Sequence, residues 1–101
     1  MWIMVMFDLP VGTKGERKAA TDFRNFLLDE GFEMSQFSVY LRYCAGKEYA
    51  EAHIRRIEQN LPRGGKIDIL IFTDKQYENI ISFHGHARAD SRKNPEQLAL
   101  F

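Results

Sequence analysis

The 101-residue sequence predicts a single α+β domain built around an antiparallel sheet, and three observations support this prediction. Trp2 to Phe7 is an uninterrupted apolar run that Pro10 and Gly12 close, which is typical of a strand buried on both faces. Two later segments repeat apolar residues every three or four positions, as amphipathic helices do. The remaining apolar segments, over 32–43 and 66–73, have strand lengths and strand composition.

The first helix is predicted from about Lys14 to Glu30. Thr13 and Glu16 have the spacing of a capping box at its start, and Gly31 is placed to end it. At about 100° per residue, its apolar side chains share one face and its basic side chains lie on the opposite half. The basic residues are Lys14, Arg17, Lys18 and Arg24. This cationic face is either an ordinary solvated surface or a ridge that contacts phosphates.

The segment from Phe32 to Tyr43 alternates with a period of two, which predicts strand. The phase of its apolar residues shifts near Gln36 and Phe37. A single strand keeps its phase, so we expect two short strands joined by a tight turn. No glycine or asparagine marks that turn.

The rest of the chain is predicted to supply a second helix and further strands. In order, we expect a helix over Lys47–Asn60, a strand over Lys66–Thr73, one helical turn over Asp74–Asn79, a short strand over Ile80–His84, a polar loop over Gly85–Pro95 and a final apolar strand over Gln97–Phe101. The extension over residues 80–101 is expected to pair with the chain's own sheet or with that of a partner.

The order β-α-β-β-α-β is that of the ferredoxin-like fold, in which both helices cover one face of an antiparallel sheet. Both faces of the Trp2–Phe7 strand are apolar, so both need a cover. The helices of one protomer cover one face. We therefore predict a homodimer packed sheet to sheet, most simply about a two-fold axis.

Composition excludes several broad classes of protein. Lysine and arginine number 14, as do aspartate and glutamate, so a generally basic surface is excluded while local basic patches are not. The one cysteine, Cys44, excludes an internal disulfide and suits a buried position in a reducing cytoplasm. No segment approaches the roughly 20 apolar residues of a membrane span, and the first apolar run is short for a signal peptide. We expect a cytoplasmic protein with no membrane partner.

Asp8 is the residue that carries the most chemical information. It directly follows the buried strand, where it either caps the strand or serves as a metal-binding or catalytic carboxylate. A catalytic triad, a phosphate-binding glycine loop and a zinc spacing are absent, and His84 and His86 offer two ligands at most. One aspartate holds Mg²⁺ poorly, but a two-fold dimer would bring two copies of Asp8 to one ion.

With these features in place, the chain resembles the CRISPR-associated protein 2 family over nearly its full length. The resemblance rests on the segments VMFDLP, Glu16-Arg17-Lys18, Gly31-Phe32, QFSVY and KIDILIFT. The segments FDLP, QFSVY and FHGH are most similar to the version found with type II CRISPR systems. Many members have tyrosine where Phe7 stands and phenylalanine where Tyr40 stands, and neither difference alters the assignment.

The resemblance implies a ferredoxin-like homodimer that binds a divalent metal, Mg²⁺ or Mn²⁺, through Asp8. It also implies one of two roles, a metal-dependent endonuclease acting on single-stranded RNA or double-stranded DNA, or a bridge between two dimers of the CRISPR integrase. Eight basic residues are candidates for nucleic-acid contacts: Lys14, Arg17, Lys18, Arg24, Arg42, Arg88, Arg92 and Lys93.

Two functions are therefore weighed. As an enzyme, the Asp8 pair would bind an ion that promotes phosphodiester hydrolysis, with Ser38 either orienting a phosphate or serving only the fold. As a scaffold, the dimer would hold duplex prespacer DNA for integrase subunits during spacer acquisition, through contacts that do not read sequence.

We favour the scaffold as the biological role and retain the nuclease as an activity. A toxin-type ribonuclease or a regulatory module outside CRISPR is the third alternative, since this fold hosts many functions.

Overall fold

The structure is a computed structural model that describes residues 1–95. Within this range the chain forms, in order, β1 (Trp2–Asp8), α1 (Lys14–Asp29), β2 (Glu33–Gln36), β3 (Val39–Tyr43), α2 (Lys47–Glu58), β4 (Lys66–Phe72), α3 (Asp74–Glu78), β5 (Phe83–His84) and β6 (Ala87–Arg88). No helix in this range is long and apolar enough to cross a membrane.

The four longest strands form one antiparallel sheet in the order β2-β3-β1-β4. Strand β1 is central, and its Val5 lies opposite Tyr40 of β3 and Ile69 of β4. The α+β class and the antiparallel sheet are thus confirmed, and the strand order is consistent with the ferredoxin-like arrangement. Strands β5 and β6 form a separate small hairpin.

The main core lies between the sheet and the two long helices. Ile3 and Val5 of β1 are fully buried there, against Phe23 and Leu27 of α1 and Ile57 of α2. Because side chains alternate along a strand, every second residue of β1 contributes to this core. The apolar faces predicted for both helices therefore cover the same side of the sheet.

Two local predictions about the backbone are confirmed. Thr13 and Glu16 form the predicted capping box of α1, in which each side chain accepts a backbone hydrogen bond from the other residue. Strands β2 and β3 separate at the predicted break, and Ser38 makes the turn with a φ of 61°. Because a serine adopts this left-handed conformation, the turn contains no glycine or asparagine that would mark it in the sequence.

The chain itself covers one end of the opposite face of the sheet. Tyr77 of α3 stacks on the ring of Trp2 with 3.7 Å between ring centroids. Asn94 is buried there, accepts a 2.7 Å hydrogen bond from Trp2 Nε1 and donates one of 2.9 Å to Glu78. The expectation that one protomer covers only one face is wrong at this end, because α3 and the segment up to Asn94 fold back onto the sheet.

The chain after β4 differs from the sequence prediction. The predicted strand over Ile80–His84 is limited to Phe83–His84, and it pairs with Ala87–Arg88 inside the predicted loop. Gly85 lies in the turn of this hairpin with a φ of 65°, which glycine adopts without strain. The predicted strand over Gln97–Phe101 lies outside the described residues.

His53 is the buried titratable group of the α2 side of the core. It is 7% exposed, its ring meets Phe32 edge-on, and Arg56 donates toward its Nδ1 over 3.0 Å. Burial lowers the pKa of His53, and the positive charges of Arg56 and Arg42 lower it further while the nearby Glu30 acts in the opposite direction. The folded protein therefore holds His53 neutral.

We predict that this histidine makes stability depend on pH as the pH falls through its unfolded pKa. Below its unfolded pKa of about 6.5, the unfolded chain takes up a proton that the folded chain does not, so the free energy of unfolding falls as the pH falls. Urea unfolding at several pH values should show this slope in the wild type and a smaller slope in His53→Gln. His86→Gln, at an exposed position, should retain the wild-type slope. Equal slopes in wild type and His53→Gln would contradict the prediction.

Candidate metal and nucleic-acid site

Asp8 is the last residue of β1, and its side chain is exposed. It lies on the face of the sheet away from α1 and α2, because it alternates with Ile3 and Val5, which face these helices. Gly65, with a φ of 78°, packs against its backbone so closely that a Cβ there would lie 2.6 Å from the Asp8 carbonyl oxygen. The loop before β4 therefore fixes the end of β1 from which the carboxylate projects.

Strand pairing brings a second carboxylate, that of Asp68, into the same cavity. In the β1–β4 register, Asp8 is opposite Lys66 and Met6 is opposite Asp68, so Asp68 is the diagonal neighbour of Asp8 on the same face. Both aspartates line a cavity of about 250 Å³. Lys66 Nζ lies 3.5 Å from the Asp68 carboxylate and partly balances its charge.

Sequence reasoning missed Asp68, although a signal was present. Lys66 and Asp68 occupy alternate positions of a strand whose other residues are apolar, and they share one face. Charges on that face indicate that this end of it is open to solvent or to a ligand. The register was beyond reach of the sequence, because the pairing of β1 with β4 joins segments that are far apart in the chain.

Two carboxylates are a partial site for a hard cation. Mg²⁺ is usually held by one or two carboxylates, with water and phosphate oxygens completing six positions. Asp8 and Asp68 fit this donor set. No group of three or more histidine, cysteine or acidic residues that could hold a metal occurs within residues 1–95. His84 and His86 are exposed in the β5–β6 hairpin.

Ser38 borders the same cavity through the β2–β3 turn. Its carbonyl oxygen accepts a 3.0 Å hydrogen bond from the Phe7 backbone, which ties the turn to the end of β1. The structure thus gives Ser38 a structural role at the border of the cavity, and its role toward a phosphate stays a prediction.

The four basic residues predicted on α1 are all exposed. Arg17 and Arg24 line a groove of about 330 Å³ between α1 and the β2–β3 turn, which we call the α1 groove. Lys18 instead forms a 2.8 Å ion pair with Asp22, and this contact raises the pKa of the lysine. The predicted cationic face is therefore divided, with the two arginines turned toward a groove.

The other four basic residues lie elsewhere. Arg42, Arg92 and Lys93 line a second cavity, of about 380 Å³, at the end of the sheet near Trp2. There Arg42 donates hydrogen bonds to the carbonyl oxygens of Glu30 and Tyr43, and the guanidinium of Arg92 lies 5.5 Å from the Tyr77 ring centroid. Arg88 is exposed on β6. The nucleic-acid contacts assigned to all eight basic residues stay predictions.

Comparison with known proteins assigns the family. Residues 1–80 match the family model described as "CRISPR associated protein Cas2". A protein of Paracidovorax avenae named CRISPR-associated endoribonuclease Cas2 is 61% identical over all of this chain and 94% of its own length. Proteins of the same name from Flavobacterium psychrophilum and Parvibaculum lavamentivorans are 48% and 44% identical over the whole chain, covering 88% and 100% of those proteins. With its sheet order, its Asp8 at the end of β1 and these matches, the chain belongs to the CRISPR-associated protein Cas2 family.

Proposed function

We propose that two copies of this chain form a two-fold dimer that binds nucleic acid in CRISPR spacer acquisition. In this proposal the paired Asp8 carboxylates hold Mg²⁺ or Mn²⁺ and give the dimer a metal-dependent endonuclease activity. The dimer also holds duplex prespacer DNA and bridges subunits of the CRISPR integrase. The observation that carries the proposal is the uncovered half of the sheet face on which Asp8 lies.

That half of the face is open, and its apolar side chains adjoin the charged groups of Asp8, Lys66 and Asp68. The buried end, around Trp2 and Phe72, is covered by α3, whereas Met6 and Val39 are only half-buried and Leu70 is 48% exposed. Apolar side chains left exposed on an uncovered sheet face favour an interaction site there. A second copy supplies a surface of matching chemistry, because a two-fold axis places each patch against its own copy.

The free edge of the sheet adds a second reason for a partner. Strand β4 is an edge strand with β1 on one side, so the backbone groups on its other side have no strand partner within residues 1–95. Five of the seven residues of this edge strand are apolar, and an edge of this kind invites pairing with another strand. The predicted apolar strand over Gln97–Phe101, from the same chain or its partner, remains our candidate for that position.

The proposed chemistry follows from the donor set. In the dimer, Asp8 and its copy contribute two carboxylates, and Asp68 stands beside Asp8 as a further one. A bound divalent ion polarises a phosphate oxygen and lowers the pKa of a bound water. The residues of the chain hold the ion and, through the β2–β3 turn, shape the cavity in which a phosphate would lie. The relatives are named endoribonucleases, which supports hydrolysis of nucleic acid as the reaction class.

For the metal site, we predict that Asp8→Asn abolishes Mg²⁺-dependent cleavage. Because metal-ion catalysis supplies several kcal/mol, the rate should fall at least about 100-fold. The measurement is cleavage of labelled RNA and DNA across a magnesium titration. Asp29→Asn, which removes an exposed carboxylate from α1, is the matched control and should cleave at the wild-type rate. Wild-type cleavage by Asp8→Asn would contradict the site.

For the dimer, we predict that Leu70→Glu produces a monomer. The substitution places an uncompensated charge on the open half of the sheet face, where it would be desolvated on association. Size-exclusion chromatography with light scattering measures the mass. Leu61→Glu changes a similarly exposed leucine in the loop after α2 and should remain dimeric. A monomeric wild type would overturn the dimer and, with it, the shared metal site.

For the scaffold role, we predict duplex binding that is steeply salt-dependent and independent of Asp8. A dimer that engages four phosphates should lose about 100-fold in affinity between 50 and 200 mM salt. Fluorescence anisotropy with a labelled duplex measures the affinity. Asp8→Asn should bind the duplex with the wild-type salt dependence and support spacer acquisition in cells. An affinity insensitive to salt would contradict the scaffold.

A further inference from the structure

The α1 groove adjoins the Asp8 cavity and shares part of its wall. Phe7, Phe37 and Ser38 line both, so the two depressions meet at the β2–β3 turn. The groove lies on the helix side of the turn, and the Asp8 carboxylate lies on the other side. At about 330 Å³ it is near the lower end of the size range of small-molecule sites, which runs from roughly 300 to 1,000 Å³.

Phe37 stands at the junction of the two depressions and is 91% exposed. The turn that carries it is held by the hydrogen bond from the Phe7 backbone to the Ser38 carbonyl, and by the left-handed conformation of Ser38. The ring is thus presented to solvent from a fixed turn. Val11 and Met34, 58% and 56% exposed, lie on the same groove and make its rim apolar.

The charge of the α1 groove is entirely positive. Arg17 and Arg24 line it, and no acidic residue does. Arg17 donates to the Val11 carbonyl oxygen at 3.2 Å, and Arg24 forms no hydrogen bond or ion pair with any residue in 1–95. The two positions are seven residues apart on α1, or about 10 Å along its axis. Two arginines at this separation beside an exposed aromatic ring complement a nucleotide and its flanking phosphates.

We propose that the α1 groove binds one unpaired nucleotide, with its base stacked on Phe37 and its flanking phosphates on Arg17 and Arg24. Stacking on an aromatic side chain requires a free base face, which the interior base pairs of a duplex do not offer. The groove therefore recognises the unpaired stretch of a nucleic acid, either a single strand or the overhang of a duplex. The inference rests on the proposed function, which places phosphodiester cleavage at Asp8. A nucleotide bound in the α1 groove would bring the next phosphodiester of the strand to the Asp8 cavity.

A protein surface is a poorer occupant of the groove. A second copy of this chain docked there about a two-fold axis would bring the cationic grooves of both protomers together, at a cost in repulsion. The apolar half-face that we assign to the dimer lies on the other side of the sheet, around Met6 and Leu70.

The test measures binding in the absence of metal, so that its outcome is separate from cleavage. Single-stranded RNA and DNA oligonucleotides with an internal 2-aminopurine, a blunt duplex, and a duplex with a 2-aminopurine overhang are titrated with the protein in EDTA. Phe37→Ala should bind the unpaired probes roughly tenfold more weakly and should no longer quench the fluorescence of 2-aminopurine. Phe37→Trp should retain both the affinity and the quenching. Affinity for the blunt duplex should not change. Phe83→Ala removes another exposed ring, on β5, and should bind as the wild type does.

The arginines are tested in the same assay. Arg24→Gln should reduce the salt slope of single-strand binding by about one, because it removes one phosphate contact. Arg55→Gln, at an exposed position of α2, should leave the slope unchanged.

Three outcomes would overturn the proposal: wild-type affinity and quenching in Phe37→Ala, an equal loss for blunt duplex and unpaired probes, or dissociation of the dimer in Phe37→Ala. The last would place Phe37 in the dimer interface. If Asp8→Asn loses cleavage but retains base stacking, the Asp8 metal site and the α1 groove act separately. If Asp8→Asn still cleaves, the proposed metal site fails while the groove stands or falls by its own assay.

Discussion

The pairing of β1 with β3 on one side and β4 on the other is the constraint on which the site depends. It places the end of β1 between the β2–β3 turn and the start of β4, and so brings together residues that are distant in the chain. The backbone contact of Gly65 with Asp8 and the hydrogen bond from Phe7 to Ser38 tie this end of the strand to both neighbours. The backbone that carries the Asp8 carboxylate is therefore held in place by both neighbouring segments.

The same pairing divides the molecule into two faces with different tasks. One face is buried beneath α1 and α2 and stabilises the fold through aromatic and aliphatic contacts. The other is covered by α3 and Asn94 at the Trp2 end and left open at the Asp8 end. This asymmetry is the common physical basis of our proposals, since contacts within the protomer fill the covered end and the open end carries exposed apolar side chains together with the carboxylates.

The charge distribution explains how a chain of zero net charge could handle a polyanion. Some cations are engaged within the protomer, as Lys18 is with Asp22 and Arg42 is with two carbonyl oxygens. Arg17 and Arg24 are turned toward a groove with no acidic lining. The local positions of the charged side chains thus decide where phosphate is attracted, because screening by salt limits the reach of surface charges to about 10 Å at 0.1 M.

The sequence by itself determined the elements whose signals are local: the buried first strand, the capping box at Thr13 and Glu16, both long helices, and the break near Phe37, since periodicity and cap chemistry act over a few residues. It also marked Asp8 through its place at a strand end. Only the tertiary structure decided that Asp68 joins Asp8 and that α3 covers Trp2. Both depend on the register and packing of segments far apart in the chain, which no local pattern encodes.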